Sequence, residues 1–489
     1  MPDIECSAAL SNELNRNLKE VLIRSDGDED LLFCLWTPSN GVKRQTGLLH
    51  TPIWPETDDR QIHGNASFNS QYIERAATFA AENGCGLALL HSHPYPGWQR
   101  MSRDDFNAES KWAGFVETMT DLPFLGLTVG SDGVWSARFW QHVRKREFKP
   151  QWCKNVRSSG ERLETYFAEH LVPPPAFNEM FKRTAVVWGK KHHTTLARLR
   201  IGIVGLGSVG SLVAETLARM GMENVILIDF DEVQEHNLDR LVTATKKDLG
   251  RLKVDVTEER MLASATAAKI NINKASFSVA EEQGYRAALD CDVIFSCVDR
   301  PRARKILNHL AYAHLIPVID GGIAVRFKKG EFNGVDWQLQ TVGPSRPCLE
   351  CLGQFSSDDA STEEAGFLDA PSYLQSLPSE HSFKRNENVF LFSENLASLE
   401  VLQMIELCTG IGGVYNYGIQ RFRSNIGILD YDIERKCRDT CPANALVGMG
   451  DRYFKLFGKD INAERARTRQ GCGSLSSHKR QNCGPFSKS

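Results

Sequence analysis

The segment that most restricts the fold runs from Arg200 to Asp231, RIGIVGLGSVGSLVAETLARMGMENVILIDFD. An apolar run, a glycine turn, a helical stretch and a second apolar run follow one another. Strands joined through a helix cannot close as a hairpin; they lie parallel, with the helix on one face. DCDVIFSCVD and LIPVIDGG continue the rhythm downstream. The expected class is therefore α/β, with a doubly wound parallel sheet. Gly205, Gly207 and Gly210 fall between the first strand and its helix. A glycine turn there lets backbone amides and a helix N-terminus approach a phosphate. Asp229, at the end of the second strand, stands where a ribose hydroxyl is usually held.

The 489 residues leave room for more than one domain. Residues 1–150 carry LLFCLWTP, GLLHTPIW, GLALLHSH and FLGLTVGS, which read as strands, and SQYIERAATFAAENG, which reads as a helix. Residues 151–180 are polar and include Pro173, Pro174 and Pro175, so they are expected to be a stiff linker. The second domain is expected over 181–447, followed by a polar, disordered tail over 448–489. The net charge of -3 weighs against a nucleic-acid or membrane partner. No apolar run reaches the roughly 18 residues of a membrane span, and the start lacks a signal-peptide layout. A cytoplasmic protein with reduced thiols is expected, the 13 cysteines lying mostly singly.

In HSHPYPGWQRMSRDD, His91 and His93 are two apart at a strand end, so both imidazoles reach one face and can share a metal. Asp105 would be a third ligand, leaving a position open for water. The plain alternative is a polar loop after a buried strand. The whole string, HSHP followed by seven residues and SRDD, resembles the JAB/JAMM metalloprotease signature HxHP-x7-SxxD. That resemblance implies zinc (Zn2+) on His91, His93 and Asp105, and Ser102 hydrogen bonding to the reaction intermediate. It also implies a glutamate base on an early strand. Glu29 is the best match and Glu20 the fallback. The implied activity is cleavage after the terminal glycine of ubiquitin-like proteins.

The glycine loop alone also fits a nicotinamide dehydrogenase. DFDEVQEHNLDR, however, adds Asp231, Asn237 and Arg240, GRLK adds Lys253, and CVDRPRAR places Asp299 past a later strand. Such a cluster suits phosphate chemistry, and an aspartate there can hold magnesium (Mg2+). The string resembles the ThiF/MoeB adenylating family, which includes the ubiquitin-activating enzymes, over about residues 180–445. The resemblance implies a Rossmann-like domain using ATP, with Asp229 on the ribose, Asn237, Arg240 and Lys253 on phosphates, and Asp299 at magnesium. RTAVVWG resembles the segment that brings an arginine finger to a partner subunit, so Arg183 and a homodimer are implied. Cys348, Cys351, Cys437 and Cys441 form two close pairs that suit one structural zinc.

The expected arrangement is thus an amino-terminal JAB/JAMM domain followed by a zinc-clipped adenylating domain. Its expected partner is a ubiquitin-like or sulfur-carrier protein with a Gly-terminated tail, with a conjugating enzyme as a further candidate. The fusion resembles bacterial ubiquitin-like operons, some linked to phage defence. From Leu352 to Leu407 there is no cysteine for a thioester. That keeps two alternatives open: sulfur-carrier activation leading to a thiocarboxylate, and a non-catalytic module that binds a ubiquitin-like tail.

Overall fold

The computed structural model describes residues 4–144, 147–176, 178–328, 331–376, 389–453, 456 and 460–474. Its first half runs β1 (Glu5–Ser11), α1 (Asn12–Leu22), β2 (Leu31–Asn40), β3 (Arg44–Ile53), β4 (Arg60–His63), β5 (Asn65–Phe68), α2 (Ser70–Glu82) and β6 (Gly86–Ser92). It continues with α3 (Arg103–Thr120), β7 (Phe124–Val129), β8 (Trp135–Arg144), β9 (Glu147–Trp152), β10 (Asn155–Ser159) and β11 (Leu163–Phe167). Nine strands form one sheet in the order β11-β10-β1-β3-β2-β6-β7-β8-β9, and β4 and β5 pair separately. The sheet is covered on both faces, so its central strands are apolar throughout. Along β2, Leu32, Cys34 and Trp36 enter one core with Leu18 of α1. Leu31, Phe33 and Leu35 enter the other with Tyr72, Ile73, Ala76 and Ala77 of α2.

The second half runs α4 (Lys182–Trp188), α5 (Lys190–Arg198), β12 (Arg200–Val204), α6 (Ser208–Arg219), β13 (Asn224–Ile228), α7 (Lys253–Ser264), β14 (Asn271–Ala275) and α8 (Glu282–Leu289). Then come β15 (Val293–Ser296), α9 (Pro301–Ala313), β16 (Val318–Lys328), β17 (Glu331–Val342), α10 (Ser357–Glu364), α11 (Pro371–Ser376), α12 (Phe390–Thr409), β18 (Ile419–Arg423), β19 (Ile428–Asp432) and α13 (Ile461–Ser474). The sheet order is β14-β13-β12-β15-β16-β17-β18-β19. From β14 to β16 it is parallel, and the last three strands are antiparallel. Strand order reverses at β12, so a crevice opens at the carboxyl ends of β12 and β15. Pairing of Val204 with Ile228 and with Ser296 brings the loops after all three strands to that edge.

Two expected boundaries differ from the structure. Residues 151–167 are not linker: β10 pairs in parallel with β1, and β11 pairs antiparallel with β10, extending the first sheet. NVRSS reads as polar, yet every residue of β10 is buried. Asn155 and Arg157 find partners far along the chain: Ser7 Oγ donates to the Asn155 side chain at 2.5 Å, and Arg157 lies 3.4 Å from Asp292. Composition cannot reveal such partners. The tail expected to be disordered from Gly448 carries a short turn over Gly450–Tyr453 and the helix α13. Thr37 Oγ1 donates to the Gly448 carbonyl at 2.6 Å, and Asp451 accepts from Tyr285 at 2.7 Å. Residues 475–489, with Cys483, lie outside the described residues.

The two sheets are joined by buried charge. Arg44 of β3 pairs with Asp292 at 2.6 Å, and Asp290 accepts from the amides of Lys43 and Arg44. Among the described residues no helix is long and apolar enough to cross a membrane.

Candidate functional site

A cavity of about 1230 Å³ occupies the crevice at the carboxyl edge of the second sheet. Gly205, Gly207, Asp229, Asp231, Asn237, Arg240, Lys253 and Asp299, all expected from the sequence, line it together. Asp229 follows β13 directly and is buried; it accepts from the amides of Leu206 at 2.6 Å and Asp231 at 2.7 Å. Its carboxylate thus ties the glycine loop to the loop after β13. Burial pushes this carboxyl up, partly opposed by Lys253. Lys253 opens α7, and its Nζ lies 2.8 Å from Asp231. Burial pushes its ammonium down, but Asp229, Asp231 and Asp299 outweigh this and hold it above its ordinary value. A charged, largely buried lysine therefore faces the cavity. Asn237 accepts from the Gln234 amide at 3.1 Å, and Arg240 folds onto the His236 carbonyl at 2.6 Å. Asp299 is exposed just past β15.

Gly210 does not line the cavity but allows it to form: a Cβ there would meet the Gly205 carbonyl at 1.9 Å. Arg183 is exposed on α4 and is not part of this cavity. Sequence reasoning missed its far end, where Arg304, Arg326, Arg421, Arg423 and Trp337 also line the wall. Arg304 comes from α9 and pairs with buried Asp320 at 3.2 Å. It was visible only as one arginine of RPRAR, without direction. Asn462 and Arg465 of α13 line the cavity as well, from the segment expected to be disordered.

The four cysteines converge. Cys348, Cys351, Cys437 and Cys441 offer Sγ atoms within 4.8 Å of one another, and Cys348 and Cys441 are 3.6 Å apart. Tetrahedral zinc with ~2.3 Å bonds has sulfur–sulfur edges near this length. Backbone N–H groups of Cys348 and Cys351 donate to Sγ of Cys437 and Cys348 at 3.2 and 3.4 Å. Such donors stabilise thiolates, so the donor set fits a structural zinc.

In the first half, pairing of Leu31 with His91 carries Glu29, just before β2, toward His93. The Nε2 atoms of His91 and His93 are 3.3 Å apart. Asp105 lies 3.3 Å from His91 and 3.2 Å from His93, and Glu29 is 4.0 Å from His93. Two ring nitrogens and a carboxylate aimed at one point suit a shared cation. Ser102 and Asp105 form a capping box at the start of α3: the Asp105 amide donates to Ser102 Oγ at 3.1 Å, and the Ser102 amide to Asp105 Oδ2 at 2.7 Å. The serine–aspartate spacing therefore fixes the carboxylate before any ligand arrives. Burial raises the Asp105 carboxyl, but hydrogen bonds from both histidines outweigh it and hold it well below the usual range. Burial pushes Glu29 up. Behind His91, Thr128 lies 3.2 Å from its Nε2 and accepts from Arg138, which forms a fully buried pair with Glu109.

A Rossmann-type sheet with this cavity defines an α/β nucleotide-site architecture. The model of the ThiF family matches residues 181–435, more than half of the sequence, and the chain belongs to that family. It is 29% identical over 170 residues to molybdopterin-synthase adenylyltransferase of Escherichia coli (strain K12), covering 35% of this chain and 65% of that protein. It is 27% identical over 209 residues to ubiquitin-like modifier-activating enzyme 5 of Drosophila virilis, covering 40% of this chain and 49% of that one. The tRNA threonylcarbamoyladenosine dehydratase of E. coli is 27% identical over 152 residues, covering 31% of this chain and 56% of that one. The chain thus spans about half to two-thirds of these relatives. Among solved structures, E. coli MccB with ATP matches at a TM-score of 0.40 and 18% identity, covering 55% of this chain and 74% of that one.

Proposed function

We propose that the second half adenylates the terminal carboxylate of a ubiquitin-like or sulfur-carrier protein ending in glycine. The observation carrying this reading is the convergence of Asp229, Asp231, Asn237, Arg240, Lys253 and Asp299 on one cavity beside the glycine loop. Two relatives are named for adenylyl transfer and for activating a ubiquitin-like modifier. In the proposed step a carboxylate oxygen attacks the α-phosphorus of ATP, the bond to the bridging oxygen breaks, and pyrophosphate leaves. Asp229 holds the ribose. Lys253, Asn237 and Arg240 meet the negative charge that grows on the phosphates, and Asp299 holds magnesium. The step needs positioning and charge more than an acid or base. Arg183 serves the cavity of a second copy, consistent with its exposure beside Val186 and Val187, which are 82% and 73% exposed.

The first half, residues 1–167, is proposed as a JAB/JAMM peptidase acting on the same tails. His91, His93 and Asp105 would hold zinc, which supplies a water acidic enough to lose its proton near neutral pH. Glu29 would take that proton as the water oxygen bonds to the carbonyl carbon, and would give it to the amine nitrogen as the carbon–nitrogen bond breaks. Ser102 stays pinned at the start of α3 beside the reacting carbonyl.

ATP–pyrophosphate exchange with Gly-terminated carriers tests the first reading. Wild type should exchange only when a carrier is present, and Asp299→Ala should abolish it. Cleavage of a tail fusion, lost in His91→Ala, tests the second. No exchange with any carrier, alongside intact cleavage, would leave the second half as a binding platform. The alternative outcome, a thiocarboxylate, is favoured by the lack of a cysteine between Leu352 and Leu407. Thiocarboxylate formation after adding sulfide would select sulfur transfer over conjugation.

A further inference from the structure

The helix α13 lies beyond residue 435, where the family match ends, yet it forms part of the cavity wall. Its approach is anchored: Asp451, ten residues before it, pairs with Arg286 at 2.5 Å and with His314 at 3.2 Å. Asp460 then caps the helix, accepting from the amides of Asn462 at 3.0 Å and Ala463 at 3.2 Å. Within the helix, positions 462, 465 and 466 stand at i, i+3 and i+4 and share one face. Asn462, Arg465 and Ala466 are the helix residues that line the cavity. The neighbouring face is clamped to the loop after β14. Arg467 donates to both Glu281 oxygens, one at 3.0 Å, and its guanidinium lies 5.5 Å from the centre of the Phe277 ring. Ala463 between these faces is fully buried. Phe277, Ser278, Val279 and Ala280 of the clamped loop also line the cavity, so loop and helix enclose the same end.

That end can be identified. With the glycine loop at the phosphates and Asp229 at the ribose, the base lies on the far side of Asp229, toward β14. We infer that α13 is the wall of the base end of the nucleotide site, with Asn462 and Arg465 as nucleotide-contacting residues and Arg467 as the residue that positions the helix. This rests on the adenylation reading of the cavity. The base end of the nucleotide site is then closed by a segment of the same chain outside the family's matched region.

The test is a titration of the full-length protein with AMP and with MgATP. Losing a hydrogen bond to a bound ligand weakens binding by roughly 10-fold. Asn462→Ala and Arg465→Ala should each weaken both ligands by about that factor. An equal loss for AMP and ATP marks contact at the base end, whereas a phosphate contact would weaken ATP more. Arg467→Glu should weaken both, and adding Glu281→Arg should restore them; loss of fold would not be rescued in that way. Wild-type affinity in Asn462→Ala and Arg465→Ala, with binding abolished in Asp229→Ala, would overturn the role of α13 and leave the adenylation reading intact. Failure of the wild-type protein to bind either nucleotide would sink both.

Discussion

At the scale of single residues, the three glycines of one motif have three different reasons to be there. Gly205 has a φ of +89°, and a Cβ on it would sit 2.5 Å from the Cys297 carbonyl. Gly210 permits the helix to pack on the strand, since its Cβ would meet the Gly205 carbonyl at 1.9 Å. A Cβ on Gly207 meets nothing within 4 Å, so no protein atom requires its absence; on the adenylation reading, a bound phosphate does. Gly210→Ala is therefore expected to cost about 1–3 kcal/mol of stability, because backbone must move. Gly207→Ala should unfold with wild type but bind ATP weakly. Thermal unfolding beside nucleotide titration separates the two; a Gly207→Ala protein as unstable as Gly210→Ala would contradict the assignment. The sequence motif alone marks all three glycines alike. The distinction depends on neighbouring backbone: that of Cys297, just past β15, for Gly205, and that of Gly205 itself for Gly210.

Among the elements, the two cysteine pairs join the turn after β17 to the segment after β19. The pairs are 86 residues apart from Cys351 to Cys437, so closing that loop removes much freedom from the unfolded chain. Cys351→Ser should lower the bound zinc by one equivalent, lower the unfolding temperature and open residues 433–447 to proteolysis. His91→Ala should remove the other equivalent and leave unfolding nearly unchanged, because its ligands lie on elements already packed in two cores. Metal content measured beside limited proteolysis checks both. Equal destabilisation by the two variants would mean that the histidine site, too, holds the fold together. The spacing of His91, His93 and Asp105 was legible because period two and a capping box are local rules. For Glu29 the sequence offered only the better of two candidates; the pairing of β2 with β6 is what places it 4.0 Å from His93.

Across the whole molecule, the sheets meet through buried ion pairs. Asp292 is fully buried; burial pushes its carboxyl up, but Arg44 and Arg157 outweigh this and hold it below its ordinary value. A carboxyl lowered by folding contributes stability that is complete above its unfolded pKa of about 4 and is lost as pH falls through the folded value. Denaturation midpoints should therefore hold from pH 7 to 5 and drop below pH 4. Arg44→Ala, which leaves Asp292 with a weaker buried partner, should cost about 3–5 kcal/mol at pH 7. Because Arg44 opens β3 and Asp292 directly precedes β15 of the other sheet, both halves should lose stability together. Unfolding of the second half alone in that variant would show the halves to be independent.

Local rules in the sequence determined the order of strands and helices, the parallel sheet around Gly205, and the two ligand strings. Each of these depends on residues close together in the chain, where periodicity and turn chemistry act. Only the tertiary structure decided that residues 151–167 belong to the first sheet, that Arg304 faces the cavity, and that α13 forms its wall. The reason is common to all three. Polar residues such as Arg157, Arg304 and Arg467 read as solvated in a sequence, and they become structural only when Asp292, Asp320 and Glu281 are brought beside them.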